Sequence, residues 1–208
     1  MSTHEYAEAG VDYKKIDIFK QLMVETSKKT LSFPNRRKIF VSENLNSYHG
    51  AVYWYAGKEN CFWVKTQEGL GNLNWVAEWM YQNTGVSYYD VIARAAALII
   101  AVDVISHGAM PVIWTDEVAA GDSEWFTDAK RSADYARGCF EICREIGMAL
   151  PAGESPSLRY LINTVPPVKS CPSLSGSITG IVAPVNRLIK GEIYPGNHIL
   201  GVPSSGLH

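Results

Sequence analysis

Long apolar runs are missing from this 208-residue sequence. The longest, Ala95 to Val102, falls far short of the ~20 residues that a membrane-spanning helix needs; it reads as a buried helix. A dominant charge sign is missing too: 19 Lys and Arg stand against 21 Asp and Glu, for a formal net charge of −2. With no basic stripe and no run of alternating basic and aromatic residues, nucleic acid is not an expected partner, and neither is a membrane. Cysteine is scarce. The four present (Cys61, Cys139, Cys143 and Cys171) lack the paired spacing of a metal site. Cys139 and Cys143 stand one helical turn apart and read as small core hydrophobes. The N-terminus carries no signal-peptide pattern, so the expected compartment is a reducing cytoplasm. Neither an internal repeat nor a low-complexity segment is present.

What remains is an ordinary globular composition, 47% apolar. Apolar residues at Ile16, Phe19, Leu22 and Met23 predict a surface helix from Tyr13 to about Lys28. Two aromatic, β-branched runs, Ala51–Tyr55 and Cys61–Lys65, flank Gly57-Lys58-Glu59-Asn60 and read as a hairpin. A helix from about Trp75 to Gln82 should stop at Gly85. Ser87 and Asp90 then resemble a capping box for a helix running on to Gly108. Pro111–Thr115 reads as a strand leading into Asp116-Glu117, and Thr127 opens a helix ending at Gly147. Prolines at Pro166, Pro167 and Pro172 mark the expected domain boundary, dividing the chain into residues 1–165 and 166–208. Short strands are expected beyond it, at Ser177–Val182 and His198–Val202.

The segment with the most chemistry is Glu68-Gly69-Leu70-Gly71-Asn72-Leu73. It follows a strand-like run and precedes a helix, so its backbone N–H groups form an anion cradle. A phosphate site would normally add a cation there, and Leu73 supplies none.

Five stretches in order resemble the aminoimidazole ribonucleotide synthetase (phosphoribosylformylglycinamidine cyclo-ligase) family. They are Tyr6-Ala7-Glu8-Ala9-Gly10-Val11-Asp12, the Glu68 loop, Asp103 to Pro111, Gly153-Glu154-Ser155, and Ser175 to His208 with its final Ser204-Ser205-Gly206-Leu207-His208. The resemblance implies an α/β (α+β) fold: an N-terminal domain whose mixed sheet, flanked by helices, contributes to a dimer-spanning β-barrel, then the start of a second α/β domain. The family's second domain is longer than the chain after residue 166, so that domain is expected to be incomplete.

By the same resemblance the activity is ATP-dependent closure of the imidazole ring of formylglycinamidine ribonucleotide in purine biosynthesis, through phosphorylation of the formyl oxygen. The cofactors implied are ATP and Mg²⁺. The partners implied are a nucleotide, a small phosphorylated substrate and a second copy of the chain. Glu154 and Asp103 are the implied catalytic residues. Glu68, Gly69, Gly71, Asn72, Asp12, Gly153 and Ser155 are expected to contact ATP or phosphate. Glu68, Asp103 and Asp116 are the candidate metal ligands, since Mg²⁺ takes hard oxygen donors and bridges to phosphate. Asp103, in an apolar helix, is expected to have a partner.

Against the family pattern, Asn72 and Leu73 replace Thr and Lys, Ala95 replaces Asp, Val102 replaces Asn, and Ala152 replaces Gly. Each charge-assisted hydrogen bond lost removes about 1.5–3 kcal/mol, so weak or absent ATP turnover is expected. Two alternatives accompany the cyclo-ligase reading. One is a non-enzymatic dimerisation or regulatory relative that kept the fold. The other is a different ATP user of the same architecture, of the thiamine-phosphate kinase or selenophosphate synthetase type.

Overall fold

The structure is a computed structural model and describes residues 3–43 and 50–203. The motif Ser204–His208 lies outside them. After the short helix α1 (Thr3–Glu8), helix α2 (Tyr13–Thr30) begins at Asp12, whose side chain accepts the Lys14 N–H at 3.0 Å. Its Ile16 and Phe19 are buried, as their spacing predicts. Strands β1 (Ile39–Val41) and β2 (Tyr53–Tyr55) form a small antiparallel pair. Strand β3 (Phe62–Gly69) leads into α3 (Leu73–Thr84) and then α4 (Tyr89–Ser106). Strand β4 (Met110–Ala119), helix α5 (Ala129–Ile146), strand β5 (Ala149–Glu154) and strand β6 (Ser173–Val182) complete the order.

The main sheet runs β3-β6-β4-β5. Strand β6 is antiparallel to both neighbours, and β5 is parallel to β4, giving a mixed sheet. Helices cover one face. Trp114, Val118, Leu174, Ile178 and Val182 point into a core shared with α2, α4 and α5. On the other face, Ile113 and Ile181 pack with Ile39 of β1 in a smaller cluster. The fold is therefore mixed α/β, as expected.

Several local expectations need correction. The two aromatic runs do not form a hairpin: β2 pairs with β1, and β3 pairs with β6. Ser177–Val182 belongs to β6, between β3 and β4. These residues, expected beyond the boundary at 166, lie at the centre of the first sheet. His198–Val202 forms no strand. Helix α5 starts from Asp128, which accepts the Arg131 N–H, rather than from Thr127. At the start of α4, Ser87 Oγ accepts the Tyr89 N–H at 3.4 Å, but Asp90 does not complete the box: it accepts the Val91 N–H and pairs with Arg137. The two glycine stops hold, with Gly85 and Gly147 both left-handed.

Helix α4 is buried on one face only. Tyr89, Ala93, Ala97, Ile100 and Val104 face the core. Val91, Leu98, Val102 and Ile105 form a stripe on the other side, and Val102 is 61% exposed. A helix apolar on all faces gives no periodic signal for which face is inside.

One buried charge ties the helical layer together. The Glu78 carboxylate of α3 accepts from Tyr89 Oη and Trp125 Nε1, both at 2.8 Å, and pairs with Arg131 Nη1 at 3.0 Å. The Arg131 guanidinium also sits 4.3 Å from the centre of the Trp125 ring. Pairing and hydrogen bonding together allow a carboxylate to be held this deep.

Candidate active site

The sheet register sets the geometry. Glu68 of β3 lies opposite Gly176 of β6, Gly176 opposite Asp116 of β4, and Asp116 opposite Gly153 of β5. These four residues form one rung across the sheet. Strand spacing puts the Glu68 and Asp116 backbones about 9–10 Å apart. The glycine loop therefore stands at one edge of the sheet and the Gly153-Glu154-Ser155 turn at the other.

At the loop, Gly71 is left-handed (φ 73°) and turns the chain from β3 into α3. Asn72 sits at the helix N-cap but makes no side-chain cap bond. The first amides of α3 thus lack a side-chain acceptor, as an anion cradle requires. Leu73 packs half-buried against the main core. Glu68 is exposed.

At the other edge, Asp116 is 7% exposed, and Tyr135 Oη donates to its Oδ2 at 3.1 Å. Burial pushes its carboxyl up to about 7, and the Tyr135 bond offsets part of that. A Cβ at Gly153 would lie 2.0 Å from Asp116 Oδ1, so the carboxylate occupies space that only glycine leaves free. Glu154 is exposed and accepts the Ser155 N–H at 2.9 Å. Beside it across β4, Glu117 accepts from Ser175 Oγ at 2.7 Å. Behind Asp116, burial and the nearby carboxylate push the Cys139 thiol well above its ordinary value, and the same holds for Cys143. Both thiols stay protonated and act as core hydrophobes.

Asp116, Gly153, Glu154 and Ser155 line a cavity of about 780 Å³ whose opposite wall is α2. Thr30 Oγ1 accepts the Leu150 N–H at 2.9 Å and ties the end of α2 to β5. Beyond that tie the helix presents Lys20, Val24 and Lys28 to the cavity. Sequence reading missed both lysines. Their spacing of four from Val24 was the available signal, since it puts all three on one helical face.

Asp12 serves as the cap of α2, and its own N–H donates to Ser123 Oγ at 3.1 Å. Asp103 is exposed, and among the described residues its carboxylate has no partner. The expected partner is unnecessary, because Asp103 borders the solvent face of α4 rather than its buried one. Among the described residues, no three His, Cys, Asp or Glu side chains converge as a metal cage. Mg²⁺ is often held by one or two carboxylates together with substrate phosphates, and Glu68 beside the cradle fits that pattern.

A mixed four-stranded sheet with helices on one face and a glycine cradle at a helix start defines a class of α/β domain. Residues 72–182 match the family described as AIR synthase related protein, N-terminal domain, and the chain belongs to that family. The chain is 28% identical over 211 residues to the phosphoribosylformylglycinamidine cyclo-ligase of Lactobacillus acidophilus, covering 99% of this chain and 54% of that protein. To the enzyme of the same name from Pyrococcus furiosus it is 28% identical over 204 residues, covering 98% of this chain and 54% of the relative. The chain thus spans about half the length of the curated relatives it matches. Among solved structures it is similar to E. coli HypE, a hydrogenase maturation protein, with a TM-score of 0.47 and 13% identity over 79% of this chain and 42% of that one. Among the described residues, no helix is long and apolar enough to cross a membrane.

Proposed function

We propose that this chain is the nucleotide-handling part of an ATP-dependent cyclo-ligase of cytoplasmic purine biosynthesis. The observation that carries the reading is the shared rung. It joins the Glu68 loop to Asp116 and Gly153, next to Glu154, within one rigid sheet. Bound ATP would supply the phosphoryl group, and Mg²⁺ would neutralise its charge. In this reading the amides from Gly69 to Asn72 cradle phosphate, and Glu68, with Asp103 and Asp116 as further candidates, offers oxygen to the metal. Glu154 accepts N–H from the substrate's amidine and holds the nitrogen toward the carbon it attacks. Much of the rate gain in such chemistry is positioning.

A homodimer fits the part of the second sheet face that β1 and β2 leave uncovered. Trp63, Lys65 and Gln67 of β3 alternate onto that face with Ser175, Ser177 and Thr179 of β6, and Trp63 is 45% exposed. A second sheet closing over it would make the expected barrel.

One observation favours the non-enzymatic alternative. Helix α4 is apolar where the family pattern places Asp and Asn, at half-buried Ala95 and exposed Val102, and Leu73 packs half-buried against the core. Calorimetric titration of Mg·ATP into wild type and a Leu73→Lys variant separates the readings. Micromolar binding by wild type supports the enzyme. Binding only by the variant, tighter by tenfold or more, supports the alternative. Silence from both refutes the cradle as a nucleotide site.

A further inference from the structure

The cavity between α2 and β5 carries a charge pattern of its own. Asp17, Glu25, Glu43, Asp116 and Glu154 line it against Lys20 and Lys28, so its lining is net acidic. Among the described residues, neither Asp116 nor Glu154 forms an ion pair. A concave surface lined by one sign of charge concentrates the opposite sign.

Hydrogen bonding gives a second and independent sign of a ligand. Ser155 lines the cavity and is only 8% exposed, yet among the described residues its Oγ has no hydrogen-bond partner. A hydroxyl withdrawn this far from water normally finds one. Asp116 repeats the pattern. Tyr135 Oη occupies its Oδ2, while Oδ1 lies over Gly153, a cavity-lining residue with no side chain to cover it. Glu154 uses Oε1 on the Ser155 N–H and keeps Oε2 free. Three acceptors therefore stand open along the β5 wall.

The remaining lining selects the kind of cation. A cavity of about 780 Å³ is the size of an organic ligand's pocket. Met23, Leu31 and Leu150 supply apolar wall for the body of such a ligand. A delocalised guanidinium-type head enters these surroundings more readily than an ammonium, because it is more weakly hydrated and offers its N–H groups in a fixed fork.

We propose that this cavity binds a small organic cation with an amidinium or guanidinium head, held by Asp116 Oδ1, Glu154 Oε2 and Ser155 Oγ. The substrate amidine of the cyclo-ligase reading carries such a head. The site nevertheless needs neither ATP nor the glycine cradle, so the Mg·ATP titration and the one below can fail independently.

The test is titration of benzamidine into the isotope-labelled full chain, without Mg²⁺ or nucleotide, followed by backbone amide shifts. It is run at about pH 8, above the Asp116 value of about 7. Benzamidine should bind at millimolar concentration or below, with the largest shifts at Gly153, Glu154 and Ser155. Benzamide, its neutral isostere, should bind at least about tenfold more weakly, the loss expected for a charge-assisted hydrogen bond. Benzoate should not bind. Glu154→Gln should weaken benzamidine about tenfold or more, and Ser155→Ala about threefold or more. Glu154 is exposed, so its variant decides the matter even if Ser155→Ala fails to fold. No benzamidine binding at millimolar concentration overturns the proposal. So does benzamide binding as tightly as benzamidine, or a benzamidine affinity that Glu154→Gln leaves unchanged.

Discussion

Replacing Gly153 with alanine inverts the usual effect of a glycine substitution. At an unstrained position the change stabilises by about 0.4–1 kcal/mol, because it restricts the unfolded chain. Gly153 has no positive φ, so its backbone accepts alanine. Its new Cβ, however, would lie 2.0 Å from Asp116 Oδ1. Asp116 has little room to yield, being 7% exposed and held by Tyr135 through its other oxygen. Overpacking of this kind costs typically 1–3 kcal/mol, and breaking the Tyr135 bond adds about 1 kcal/mol. The net expectation is a loss of about 2 kcal/mol, or roughly 4–8 °C in melting temperature for a domain of this size. Urea and thermal unfolding measure it directly. An Asp116→Ala partner tests the cause: with the carboxylate gone, Gly153→Ala should recover on the order of 1 kcal/mol or more of coupling. An unchanged or raised midpoint for Gly153→Ala, or strict additivity in the double variant, would refute the close approach of Asp116 to β5.

The raised Asp116 carboxyl makes stability depend on pH. Its folded value is about 7 against the ordinary 3.8 of an aspartate, so between those limits the folded chain holds a proton that the unfolded chain releases. Stability at that group is full below about pH 4, falls as pH rises to about 7, and is flat above; the drop is at most on the order of 4 kcal/mol. Measured in metal-free buffer, Asp116→Asn should remove that slope; an unchanged slope argues that other groups cause it. Removing Arg131 as Arg131→Met strands the Glu78 carboxylate in the core and should cost about 3–5 kcal/mol in urea unfolding; a loss below about 1 kcal/mol would mean the pair is not buried as described. Asp103→Asn should leave stability within about 0.5 kcal/mol, since the side chain is exposed and has no partner among the described residues. A fall in Mg·ATP affinity with stability intact would support its metal role, and unchanged affinity would remove it from the site.

Features decided within a few residues were readable in the sequence. Gly85 and Gly147 end helices because a left-handed residue is needed there. Strand partners were not readable. The runs around Tyr53 and Trp63 have the composition and turn of a hairpin, yet β3 pairs with residues more than a hundred positions away. Nothing local distinguishes those outcomes. The prolines at 166, 167 and 172 mark a real break in secondary structure, but the chain returns from it to the same sheet. At the site, the glycines and carboxylates were found because they sit in motifs. Lys20 and Lys28 belong to none, and only the approach of α2 to β5 brings them to the cavity.

Because β6 pairs with both β3 and β4, the sheet cannot close until the last of its strands has been synthesised. On the ribosome, β3 emerges first and waits through more than a hundred residues with no sheet partner. Its Phe62 and Trp63 meanwhile form part of an unpaired edge, the kind of surface that recruits other chains. A nascent chain halted before Ser173 would hold its helices and the β4–β5 pair but leave β3 adrift. Translation speed between Gly69 and Ser173 therefore bears directly on how much of this protein reaches its folded state.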